Sequence, residues 1–270
     1  MDKLFKMDMS WEDMMIARET TAGLGRQLRL VGFGLFTALV MLGQTGQANA
    51  VETAKPGERF EITSIKGVRP TLVDTIAALQ KHDIAGAKAA FEAYDSLWNG
   101  VEMYVSTRSK DMYDALEHVL QARIEKAFSA PNPDVATLLA DTQAILVKYD
   151  EAIDMVSKAA PLNPLYDDIA RLRIVRAHLR EVVPAIKAGN FDKARKSFAA
   201  FDSTWDSIED MIKTRSADDY VAIEKGMIEI EKALMPEKPD VAAATALVNG
   251  VMAKYNVTVT ELVKEARSRP

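Results

Sequence analysis

The sequence predicts an all-α protein, and three observations carry that expectation. Apolar residues recur at steps of three and four over most of the chain, as they do along one face of a helix. No stretch alternates with period two for long enough to make a strand. Only 13 Gly and 10 Pro punctuate 270 residues, too few for the turns of an all-β design. Hydrophobic residues at 48%, charged residues at 27% and a net charge of −5 describe a chain able to bury a core. That composition excludes disorder, a collagen-like fibre and a multi-span membrane protein. A nucleic-acid partner held by bulk charge is excluded as well, because there is no basic excess. With no Cys, the chain has no disulfide, zinc finger, thiolate-bound cluster, covalently attached haem or cysteine nucleophile.

Residues 1–50 read as an address. An uncharged run over 30–42 follows Arg26 and Arg29 and precedes Ala48-Asn49-Ala50, the pattern of a secretory signal peptide cleaved before Val51. The run is shorter than the roughly 20 apolar residues of a spanning helix, although an uncleaved anchor is the competing reading. No twin-arginine pair stands before it, which favours general secretion. The expected compartment is the periplasm or an equivalent extracytoplasmic space.

Beyond that segment the chain is written twice. Residues 95–117, DSLWNGVEMYVSTRSKDMYDALE, and 202–224, DSTWDSIEDMIKTRSADDYVAIE, agree at 11 of 23 positions at a constant offset of 107. After a one-residue indel, Pro133-Asp134-Val135 answers Pro239-Asp240-Val241, and Lys148-Tyr149 answers Lys254-Tyr255. The expected organisation is an extension over 51–67, repeat 1 over 68–160 and repeat 2 over 165–270. Pro161, Asn163 and Pro164 mark the boundary, and about 100 residues per copy suffice for a core.

Each copy should hold four helices in an up-and-down bundle. In copy one the first runs from about Arg69 to Lys81, and its counterpart starts earlier, near Tyr166. The second carries a seam of Ala87, Phe91, Tyr94, Trp98, Val101 and Val105, and the third Tyr113, Leu116, Leu120, Ile124 and Ala127. The fourth opens with Asn132 as N-cap and Pro133 in the first helical position, then gives Val135, Leu138, Thr142, Ile145, Tyr149, Ile153 and Val156. Ser109 is the expected N-cap of the third helix.

Glu102 and Glu117, with Glu209 and Glu224, are kept in both copies without being needed by a core. Counted outward from the turn at Ser109, Glu102 and Glu117 fall at nearly the same level on antiparallel helices. Two carboxylates facing each other in a poorly hydrated bundle need compensation. A divalent cation supplies it in one reading, since oxygen donors suit iron, manganese, calcium or magnesium. In the other, Trp indole N–H, Tyr O–H or the Arg108 and Arg215 guanidinium groups supply it. None of His82, His118 and His178 is duplicated, and the lone His178-x-x-Glu181 is a weak metal motif. No nucleophile elbow, phosphate loop or dinucleotide fingerprint is present, so no enzyme, nucleotide or haem is expected.

The repeated W-x-x-[VI]-E, T-R-S and Y-x-x-[IL]-E resembles the extracytoplasmic helical region of bacterial high-affinity iron permeases. More loosely it resembles imelysin-like periplasmic iron-uptake proteins. That resemblance implies iron or another divalent cation handled by Glu102, Glu117, Glu209 and Glu224, with Asp95 and Asp202 outside them. It also implies a soluble accessory to metal uptake whose partner is a membrane permease. The chain lacks the Arg-Glu-x-x-Glu transport motif and a permease segment. The alternative is a non-catalytic extrinsic subunit docking on some other membrane complex.

Overall fold

The computed structural model describes residues 57–269, and these are helical almost throughout, with no strand among them. The expected signal peptide, its cleavage before Val51 and most of the 51–67 extension lie outside the described residues. In copy one, α1 spans Phe60–Gln80, α2 Ile84–Val101, α3 Met103–Ser106 and α4 Lys110–Asp114. A π-helical segment, Ala115–Gln121, then leads into α5, Ala122–Phe128, and α6 is Val135–Lys158. In copy two, α7 spans Leu165–Lys187, α8 Phe191–Trp205, α9 Glu209–Lys213, α10 Ala217–Leu234 and α11 Val241–Ser268. Among the described residues no helix is long and apolar enough to cross a membrane.

Most of the expected seam positions are buried, while Tyr113, Leu120 and Ala127 of the third helix and Val135 and Ile153 of the fourth are only partly so. Ala87, Phe91, Tyr94, Trp98, Val101 and Val105 are all buried, as are Leu116, Ile124, Leu138, Thr142, Ile145, Tyr149 and Val156. Within copy one α1 packs on α2 and α6; within copy two α7 packs on α8 and α11, and α11 on α10. One tie recurs in each copy: Tyr149 Oη donates to the Ile65 carbonyl at 2.8 Å, and Tyr255 Oη to the Leu172 carbonyl at 2.6 Å. The apolar core is continuous through both copies, from Ile65 to Ala266. The copies meet where α2 lies against α7. A Cβ on Gly100 would stand 2.8 Å from Ile174 Cγ1, so the absence of a side chain there permits that approach.

Three local expectations are corrected. The first helix of copy one begins at Phe60, nine residues before Arg69, and runs through Pro70. The ring removes one backbone N–H, and Thr71 Oγ1 donates to the Val68 carbonyl at 2.7 Å in that turn. The cap of α6 is Asp134, whose carboxylate accepts from Thr137 N at 3.0 Å, so Asn132 and Pro133 precede the helix. The third helix of copy one is not uniformly α-helical, because it carries the π segment. Past Glu117 the offset between copies falls from 107 to 106, so copy one has one residue more there. A π turn is how a helix absorbs such an insertion. Beyond it Ile124 and Phe128 return to register with Ile230 and Leu234, all four buried.

Candidate functional site

Four residues of each copy form one cluster: Trp98, Glu102, Tyr113 and Glu117, and again Trp205, Glu209, Tyr220 and Glu224. Ser109 and Ser216 set the hairpins that bring them together. Each serine hydroxyl accepts from the third residue on, Met112 N and Asp219 N, both at 3.1 Å. Trp98 and Tyr113 stack with centroids 6.5 Å apart, and Trp205 and Tyr220 at 6.4 Å.

The structure places every carboxylate of the predicted metal set, and most meet protein donors. Glu117 Oε2 accepts from Trp98 Nε1 at 2.6 Å. Glu224 accepts from Trp205 Nε1 in the same way and is only 2% exposed. Glu102 pairs with Arg173 at 3.0 Å across the junction of the copies. Glu209 accepts a long bond from Tyr220 Oη, 3.4 Å. Asp95 accepts from Gln121 Nε2 at 2.8 Å. Asp202 lines a shallow cavity of about 260 Å³ with Arg195, Phe198, Glu231 and Met235.

The Glu102 carboxyl lies within reach of the charge on Glu117. Burial pushes the Glu102 carboxyl above its usual range, Arg173 opposes this, and the charge on Glu117 adds to the rise. Burial likewise raises Glu117, against the hydrogen bond from Trp98. In copy two, burial, then Asp206 and Glu224, raise Glu209, with Lys213 opposing. Indole N–H groups thus meet Glu117 and Glu224, and a guanidinium group meets Glu102. No group of three or more His, Asp or Glu side chains among the described residues is arranged to hold a metal ion. The arginine expected to answer these acids, Arg108, instead meets Glu61 at 2.7 Å and the Tyr104 and Ala160 carbonyls.

Two features escape a reading of motifs. In copy one the core positions of Phe201 and Met227 are taken by Tyr94 and Gln121, both buried beside Asp95. The Tyr94 hydroxyl and Gln121 Oε1 have no hydrogen-bond partner among the described residues. The indel in the repeat was the signal for this departure. The second feature is a stripe of arginines on α7, Arg173, Arg176 and Arg180, of which the duplication marks only Arg176, as the counterpart of Arg69.

No family model, curated protein or solved structure matches the chain. The resemblance to iron permeases and imelysin-like proteins therefore rests on the repeated string alone.

Proposed function

We propose that the protein is an exported, non-catalytic helical docking module that binds a basic helix of a membrane-associated partner through α8 and α9. The observation carrying this reading is an interface used once and left open once. In copy one, the face of α2 and α3 bearing Leu97, Asn99, Gly100, Met103 and Tyr104 is covered by α7. Tyr104 Oη donates to Asp167 at 2.7 Å there, and Arg173 reaches both the Asn99 carbonyl and Glu102. The same positions in copy two are Thr204, Asp206, Ser207, Asp210 and Met211, with Glu209 answering Glu102.

Asp206, Ser207 and Asp210 are exposed. Exchange of apolar for polar residues keeps an uncovered end of a repeat in water. Its acidic character suits an electrostatic partner joined by a wet, reversible contact. The partner chemistry is that of α7 itself, a helix presenting arginines to Asn and Glu.

A photo-crosslinking residue at position 206, in the native host, tests this. The expected result is one discrete membrane-protein adduct, lost at high salt and when D210K is added, and absent from the exposed position 147 of copy one. Equal labelling from both positions, or none from 206, overturns the reading.

A second reading keeps one observation. The charges of Asp206, Glu224 and Asp210 all bear on Glu209, and among the described residues no arginine pairs with it as Arg173 does with Glu102. That favours a cation at copy two, in an accessory to metal uptake. Thermal melts with Fe²⁺, Mn²⁺ and Ca²⁺ separate the two: a docking module shows no specific shift, whereas a cation site shows one abolished by E209Q/E224Q.

A further inference from the structure

The duplication supplies an internal control for the arginines of α7. In copy one, Arg69 makes a two-point ion pair with Asp150, Nε to Oδ1 at 2.6 Å and Nη2 to Oδ2 at 3.0 Å. The equivalent residues in copy two are Arg176 and Asn256. The carboxylate has become an amide, while the guanidinium has moved deeper. Arg176 Nη1 donates to Asn256 Oδ1 at 2.6 Å and Nη2 to Asn99 Oδ1 at 3.1 Å, so both partners are neutral. One turn away, Arg173 holds Glu102, the single carboxylate paired with this stripe among the described residues. Arg180, a further turn on, is exposed and makes no ion pair among them.

Three guanidinium groups therefore stand on one stripe with a single paired carboxylate, where Arg176 reaches from α7 to Asn99 of α2 and Asn256 of α11. The Nε atoms of both Arg173 and Arg176 are buried without a hydrogen-bond partner. Burial, then Arg173 and Arg180, push Arg176 down to about 10. Buried charges are ordinarily paired, and an unsatisfied buried N–H calls for an ion or water. Guanidinium forks match tetrahedral oxyanions, and flanking amide groups add neutral donors without cancelling charge.

We propose that the junction where Arg176 of α7 bridges Asn99 of α2 and Asn256 of α11 is an anion site, in which Arg173 and Arg176, with Asn99 and Asn256 and with Arg180 one turn beyond, hold a small oxyanion of the phosphate or sulfate type. Filling it supplies the charge that Asp150 supplies to Arg69, and ties the two copies together through α2 and α7. This site is separate from the acidic docking face on α8 and α9 and does not depend on it.

The test uses the purified full chain, dialysed free of oxyanions, and titrates inorganic phosphate and sulfate against chloride at matched ionic strength. Melting temperature and calorimetric binding are followed. The expected result is saturable binding of phosphate or sulfate at least tenfold tighter than chloride, with a matching rise in melting temperature. Asn256→Asp rebuilds the pair of copy one. It should raise the anion-free melting temperature and abolish the anion response, an outcome that loss of folding cannot imitate. Arg180→Gln, at an exposed position, should weaken binding several-fold with no change in the anion-free melt. A wild-type response no greater for phosphate and sulfate than for chloride overturns the proposal. So does an Asn256→Asp protein that responds as wild type does.

Discussion

The indole N–H of Trp98 donates to Glu117 across the hairpin, and Trp205 does the same to Glu224. This bond explains why the two acids recur with the two tryptophans. A buried indole needs an acceptor, and a carboxylate is a stronger one than an amide or carbonyl. The pair joins α2 to the π segment in copy one and α8 to α10 in copy two. The repeated string is thus a lock between the second and third helices of each copy.

Truncating that lock should cost stability in proportion to burial. Glu224 is the more buried acid, so Glu224→Ala leaves the Trp205 N–H orphaned and should lose about 1–3 kcal/mol. Glu224→Gln keeps an acceptor oxygen and should lose less than half as much. Chemical denaturation with both variants measures this. Equal losses would mean that the charge, rather than the acceptor, matters.

Glu209 gives a pH dependence of opposite sign to the usual acid. Its folded pKa lies above the ordinary 4.5, so the folded state binds the proton more tightly than the unfolded chain. Its contribution to stability is present below that ordinary value and is lost as pH rises through the raised folded one. Glu209→Gln removes the penalty of ionising it. The variant should melt above wild type at neutral pH, with the difference closing as pH falls below about 4.5. A variant less stable than wild type at neutral pH would show that the Lys213 charge outweighs burial and the neighbouring acids at Glu209.

Much of this architecture was legible because helix periodicity and duplication are one-dimensional signals. The seam of Phe91, Tyr94 and Trp98, the Ser109 turn and the Pro161–Pro164 break are each fixed by local spacing. Less legible was whatever depends on which helices meet. Glu102 looked like one half of a metal pair because Arg173, 71 residues away, leaves no trace at that spacing. Arg108 sits beside Glu102 in the string yet faces Glu61 instead. The start of α1 was masked by Pro70, which reads as a first-turn residue although Thr71 eases its place inside the helix. The π turn was visible only as a lost residue of offset, with nothing to say where the helix would absorb it.

His82 marks a position where the copies differ in backbone chemistry. It ends α1 with φ +58°, and its counterpart Gly189 ends α7 with φ +71°. Both close the same helix-ending motif: the amides of His82 and Asp83 bond to the Leu79 and Ala78 carbonyls, as those of Gly189 and Asn190 do to Ile186 and Ala185. A side chain in the left-handed region costs roughly 1 kcal/mol, partly offset by the greater freedom of glycine when unfolded. His82→Gly should therefore stabilise by about 0.5 kcal/mol, and Gly189→His should destabilise by a similar amount. Melts of the two variants check this directly.

Gly100 tests whether the contact between the copies depends on close approach of α2 and α7. In a helix interior, Gly→Ala ordinarily gains about 1 kcal/mol. Here the new methyl would stand 2.8 Å from Ile174 Cγ1, with the Ile174 backbone at 3.5 Å behind it. The Ile174 side chain or α7 itself must give way, so Gly100→Ala should instead lose about 1–3 kcal/mol by overpacking. The equivalent Ser207 is exposed, and Ser207→Ala should stay within about 0.5 kcal/mol of wild type. Adding Ile174→Ala to Gly100→Ala removes the clash, so the double variant should lose less than the sum of the singles, a coupling that a double-mutant cycle measures. Strict additivity, or a stabilised Gly100→Ala, would mean that the helices separate freely at this crossing and that the shared core does not hold the copies together.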